Sequence, residues 1–159
     1  MPSAKVFFLL AVLGVTLHCQ VLARPQKRST KGSIRVVGDN GDFLPRTVIP
    51  TTYIEMKRTK LLRGQYSYTL GERITGDQLA DQQEDSDDFP AARDVEATIS
   101  YPTSSTGLTL TYINILVEQS SEDGKAYVTQ GGINQKFADI LVIANATTHY
   151  AHSGAFYGY

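Results

Sequence analysis

Turn-forming residues interrupt this chain at short intervals, and no segment between them holds a 3.6-residue apolar period over three turns. That pattern rules out a helical core and leaves short extended runs as the building unit. Runs rich in Val, Ile, Thr and Tyr cover residues 34–37, 47–56, 65–70, 96–101, 108–118, 126–129, 137–144 and 148–157. Gly38-Asp39-Asn40-Gly41 is a strong turn signal after the first. Pro50 breaks the second and points to an edge position or a loop. The expected fold is an all-β, antiparallel β-sandwich or barrel-like single domain. Residues 76–83 alone could form a turn of helix. Residues 77–88 (DQLADQQEDSDD) are acidic and read as an exposed loop. They lack the frame of a calcium-binding EF-hand loop, so no Ca²⁺ is assigned there.

The stretch GGINQKFADILVIANA, residues 131–146, tests for a phosphate-binding loop. Such a loop needs a preceding strand, a following helix and a characteristic glycine or lysine frame. Here the segment after the glycines is short and rich in Ile, Leu and Val, which makes it a strand. Phe137, Asp139, Leu141 and Ile143 share one face; Ala138, Ile140, Val142 and Ala144 share the other. Both faces are mostly apolar, so the strand is expected to be central. Gly131 and Gly132 then serve a turn between strands. Asp139 must lie near the strand's exposed end or be paired, because burying it alone is costly. Residues 108–118 are the expected partner strand. Residues 120–124 (SSEDG) are expected to join that strand to residues 126–129 as a hairpin.

Residues 1–23 read as a secretory leader: Lys5 gives the positive start, residues 6–17 the apolar core, and Val21-Leu22-Ala23 the cleavage site. The apolar run is shorter than the roughly 20 residues a membrane span needs. Cleavage is expected between Ala23 and Arg24, and it leaves no membrane anchor. Residues 24–32 form a polar, flexible mature N-terminus with a dibasic Lys27-Arg28, and residues 33–159 form the β domain. Cys19 is the single cysteine and leaves with the leader, so the mature chain has no disulfide and no thiol nucleophile. Removing the leader also leaves 14 basic against 16 acidic side chains. That balance gives no overall pull toward nucleic acid.

His149 and His152 are the histidines of the mature chain, and two ligands fall short of a zinc site. Three positions apart on a strand, they face opposite ways. No serine sits in a nucleophile-elbow frame. The reading is therefore non-enzymatic, with no metal and no cofactor. Asn114 reads as a hydrogen-bonded structural residue. Asn145-Ala146-Thr147 is a glycosylation sequon, with Asn145 as acceptor in a secreted chain. Residues 57–63 (KRTKLLR) form a basic run. Tyr101, Tyr112, Tyr127, Tyr150, Phe156, Tyr157 and Tyr159 make the late strands aromatic, which suits packing or a binding face.

Four features of residues 66–159 resemble the insect multiprotein bridging factor 2 family. They are the strand Tyr112-Ile113-Asn114-Ile115, the turn Gly131-Gly132-Ile133-Asn134, the Ile/Leu/Val strand after it, and the end Ala155-Phe156-Tyr157-Gly158. Upstream, residues 71–77 resemble the family's G-x-R-x-x-G-D segment. Gly131, Gly132 and Asn134 are thus the structural turn of the family. Two places depart from it: Gln135-Lys136 stands where many members carry another glycine, and residues 144–148 lack a basic Ser-Arg-Gly stretch. The resemblance implies a co-activator that bridges a nuclear receptor and a general transcription factor. The leader implies instead a secreted, extracellular β-domain that binds a protein or carbohydrate partner, a protein being the one expected, its oligomeric state open.

Overall fold

The computed structural model describes residues 34–37, 52–103 and 106–159. The leader with Ala23 and Arg24, the tail at 24–32, the turn at 38–41 and Pro50 lie outside these residues. The described regular structure is strand alone: β1 Ile34–Val37, β2 Ile54–Glu55, β3 Lys57–Leu62, β4 Gln65–Gly71, β5 Gln78–Tyr101, β6 Leu110–Gln119, β7 Gly124–Gly131 and β8 Ala138–Gly158. All pair antiparallel in one open sheet of order β1-β5-β8-β6-β4-β3, with β7 and β2 branching from β8. The all-β single domain expected from the sequence is what the chain forms.

Two strands dominate. β5 and β8 pair along nearly their whole lengths, from Gln78↔Gly158 to Tyr101↔Ala138. A straight ribbon would separate the level of Ala138 from Phe156 by roughly 60 Å at about 3.3 Å per residue. Yet the ring of Tyr101, at the Ala138 end, stacks on Phe156 with centroids 5.1 Å apart. The ribbon is therefore bent double, and its two halves face each other as the layers of a sandwich. The bend falls where register slips between Asp88, Arg93 and Val95. Pro90 sits in that unpaired stretch, where its missing N–H costs no ladder bond. Across from it Ala146 takes φ 50° and donates its N–H to Asp94 Oδ1 at 2.8 Å.

Alternation along each strand fills the space between layers. Val95, Ala97, Ile99, Ala138, Ile140 and Val142 come from one half; Tyr66, Tyr68, Ile113, Ile115, Tyr150 and Phe156 come from the other, all essentially buried. A Cβ on Gly154 would meet Ile115 Cδ1 at 3.1 Å and Ile99 Cγ2 at 3.5 Å, so the layers touch where this residue is small.

Five local expectations are corrected. Residues 138–144 pair with β5 and β7, not with residues 108–118; β6 pairs instead with residues 150–158 of the same long strand. Residues 120–123 do not close a hairpin. β6 and β7 run one after the other in the same direction along one edge of β8, and the turn moves the chain from one layer to the other. Residues 77–88 are not a loop, nor do residues 76–83 form a turn of helix: from Gln78 on they are strand, because β8 offers a full hydrogen-bonding edge whatever the side chains. Phe137 is 46 % exposed, lying in the turn before β8 starts. The central position expected for residues 138–144 holds, and Asp139 lies half-buried near the strand's end.

The Tyr101–Phe156 stack should carry much of the inter-layer packing. Phe156→Ala is expected to cost about 3–5 kcal/mol, read as a lower urea midpoint; a loss below about 1 kcal/mol would place the ring outside the core.

Candidate functional site

The turn singled out in the sequence is a lock between strands. Gly131, Gly132 and Asn134 have φ of 66°, 112° and 66°. A Cβ on Gly131 would stand 2.2 Å from the Phe137 carbonyl oxygen, so no other residue fits unstrained. Within the turn, the Gly132 N–H donates to the Phe137 carbonyl at 2.9 Å and the Gln135 N–H to the Gly132 carbonyl at 3.0 Å. The Asn134 N–H then donates to the Leu110 carbonyl, and the Leu110 N–H to the Gln135 carbonyl, both at 2.8 Å. These bonds bolt the turn to the start of β6.

Residues 71–77 reach the same end of the molecule. Gly71 passes so close to β6 that a Cβ would meet the Thr111 carbonyl oxygen at 2.2 Å and the Ile133 side chain at 2.7 Å. The Arg73 guanidinium lies 3.7 Å over the Tyr157 ring and pairs with Asp77 at 2.7 Å. The Asp77 side chain is only 1 % exposed. Its carboxylate also accepts the Ile74 N–H at 3.1 Å and the Thr111 hydroxyl at 2.8 Å. The Arg73 hydrogen bond, then those of Ile74 and Thr111, hold its pKa down at about 2 despite burial. These residues position strands.

A hollow of about 540 Å³ opens elsewhere, on the outer face of the layer formed by β3, β4, β6 and parts of β8 and β5. Glu84, Ser153 and Leu116 stand in one cross-strand row; Ser86, Ala151 and Glu118 stand in the next, with Asp85 and His152 between. Small side chains in the middle of a pleated face make the depression. The Ser153 hydroxyl donates to Glu84 Oε1 at 3.1 Å, and Gln65 Nε2 donates to Glu118 Oε1 at 2.7 Å. Leu116 is half-buried on the β6 side of it, and the two carboxylates give it acidic edges. Beyond it on the same face, the Ser67 hydroxyl donates to Asn114 Oδ1 at 2.8 Å, as a structural Asn114 requires. The face ends in the Tyr112–Tyr157 pair, with centroids 6.0 Å apart.

The remaining candidates scatter. His149 is half-buried, with Nδ1 2.7 Å from Asp88 Oδ1, while His152 is buried on the opposite face. Among the described residues no group of three or more His, Cys, Asp or Glu is placed to hold a metal ion. Asn145 lies at the ribbon's bend, and its Nδ2 donates to Asp123 Oδ2 at 2.9 Å; the sequon hydroxyl of Thr147 is buried. The basic run at 57–63 forms β3 and its turn, with every residue of the strand exposed.

One group escaped sequence reasoning. The hydroxyls of Tyr66, Tyr68 and Tyr150 and His152 Nδ1 are buried and make no hydrogen bond within the described residues. Burial pushes the Tyr68 and Tyr150 phenols up and holds the His152 imidazole below its ordinary value. Period-two alternation in QYSYTLG and THYAHSG placed these rings inward, but only the fold brings them into one layer.

The chain matches the family described as "Transcription activator MBF2" over residues 70–158, and it belongs to that family. No curated protein and no solved structure matches it. The matched span contains the whole lock, from Gly71 to Gly158.

The lock should be sensitive to acid. Asp77 titrates at about 2 in the folded chain against an ordinary 3.8, so its contribution is complete above pH 3.8 and is lost as pH falls from there toward 2. Urea midpoints measured from pH 5 to pH 2 should fall steeply through that window. Asp77→Asn should lower the midpoint at pH 5 and flatten the fall; an unchanged slope would remove Asp77 from the lock.

Proposed function

We propose that the chain is a secreted, non-enzymatic binding protein whose outer five-stranded face takes a protein partner. The hollow around Leu116 carries this reading. A half-buried apolar residue ringed by small polar side chains is the arrangement into which a partner anchors one side chain. Glu84 and Glu118 at its edges favour a partner with a nearby cation. The leader at residues 1–23 supports an extracellular setting, with cleavage between Ala23 and Arg24 and no anchor remaining. Asn145 is the glycan acceptor in that setting. Because the Thr147 hydroxyl is buried in the fold, the sugar would be added before the chain folds. The reading includes no catalysis, no cofactor and no direct contact with nucleic acid.

A second reading has an observation of its own. The description of the matched family names a transcription activator, and on that footing the chain is a co-activator that bridges a nuclear receptor and a general transcription factor. The same face would serve as the bridge. This reading needs a nuclear pool of the protein.

Expression of the full-length chain in insect cells, with N-terminal sequencing of the product from medium, cytosol and nuclei, separates the two. The secreted reading expects a product in the medium starting at Arg24, or at Ser29 after a second cut. An uncleaved nuclear product would replace it with the bridging reading. In either compartment, Leu116→Arg should fill the hollow and weaken partner capture by about tenfold or more with no change in melting temperature. Capture equal to the unaltered protein would move the partner off this face.

A further inference from the structure

Past the hollow, the outer face changes character. Two cross-strand rows lie beyond Ser67 and Leu116. The first sets Thr69, Asn114, Ala155 and Gln82 side by side; the second sets Gly71, Tyr112, Tyr157 and Leu79. Glu84 and Glu118 edge the hollow, but none of the residues in these two rows is charged. Asn114 Oδ1 accepts the Ser67 hydroxyl at 2.8 Å, and its Nδ2 has no partner among the described residues. The hydroxyls of Thr69, Tyr112 and Tyr157 are likewise unbonded among the described residues. Gly71 beside Tyr112, and Ala155 diagonally across from it, leave that ring above short neighbours. The Arg73 guanidinium covers one face of Tyr157 from 3.7 Å, and Asp77 meets its charge at 2.7 Å. Leu79 and Tyr159 continue the apolar surface, 49 % and 61 % exposed.

We propose that this tyrosine end of the outer face binds a neutral carbohydrate, a flat chain of pyranose units laid across the strands. One sugar ring rests on Tyr112, and its hydroxyls meet Asn114, Thr69 and Gln82. The chemistry of the two rows selects this occupant. Aromatic faces and apolar carbons accept the C–H face of a sugar ring. Neutral amides and hydroxyls offer both donors and acceptors to its hydroxyl rim. A charged ligand finds no counter-ion in these rows, because Arg73 is already paired with Asp77. The surface is a pleated face rather than a cleft, and sites for single small molecules are concave. An extended chain with all its hydroxyls equatorial lies flat on such a face, whereas a coiled chain touches it at intervals. The hollow at Leu116 and its carboxylates take no part, so this site does not depend on the protein partner proposed above.

Nuclear magnetic resonance on the labelled, expressed chain tests this with cellohexaose and chitohexaose, two flat neutral β-linked chains, and with coiled α-linked maltohexaose. At least one flat chain should shift the resonances of Thr69, Asn114, Tyr112 and Gln82 saturably, and maltohexaose should bind more weakly. Tyr112→Ala should weaken binding by about tenfold, the scale of a lost aromatic stack. Ala155→Arg removes no contact but lays a long cation across the first row, and it should abolish the shifts. Leu116→Arg should leave them unchanged, so sugar binding and partner capture can each fail alone. Circular dichroism checks each fold, and the titration of the unaltered protein needs no variant. No shift with either flat chain overturns the proposal. So do shifts confined to the hollow, equal binding of maltohexaose, binding that survives Ala155→Arg, or binding lost in Leu116→Arg.

Discussion

The β5–β8 pairing, bent double at residues 88–93 and 145–147, is the contact on which every other strand of this fold depends. Every other described strand attaches to it directly or through one or two others. The bend turns one open sheet into two facing layers and so creates the interior in which Tyr101 meets Phe156 and Ile99 meets Gly154. Without it, the buried faces of both strands would lie along a single flat surface in water. The sequence has a single cysteine, Cys19, so no disulfide can form within the chain, and burial across the bend and the ladder along it must hold the two layers together.

The residues of the lock do different work from those that line the hollow. Gly71, Arg73, Asp77, Gly131, Gly132 and Asn134 meet at one end, where they tie the β4–β5 connection and the β7–β8 turn to β6. They specify how the strands meet. The outer face around Leu116 is assembled from Ser, Ala and Glu side chains of β5, β6 and β8.

Much of the scaffold could be read from the residues. Alternation in QYSYTLG and LTYINILVEQ placed β4 and β6, and the glycine pair placed the turn before β8. The acidic half of β5 was hidden because Asp is a poor strand former, and an edge strand with solvent on one side tolerates it. The polar Asn145-Ala146-Thr147 made β8 look like two strands when it is one with a kink. SSEDG signalled a turn but not whether the chain would reverse or step sideways; the pairing of both β6 and β7 with β8 decides that. The hollow was illegible for a similar reason. Its rows join residues from Gln65 to Ser153, and register between strands so far apart in sequence is a property of the sheet.

The bend can be tested by one distance. Spin labels on cysteines introduced at Ser100 and Ala155, with Cys19 replaced by Ser, report the separation of the two halves of the ribbon by pulsed electron resonance. Layers about 10 Å apart, with a label projecting outward from each, predict roughly 20–30 Å. A straight ribbon would place the labels roughly 50 Å apart, and that value would contradict the folded sheet and the hollow built on it.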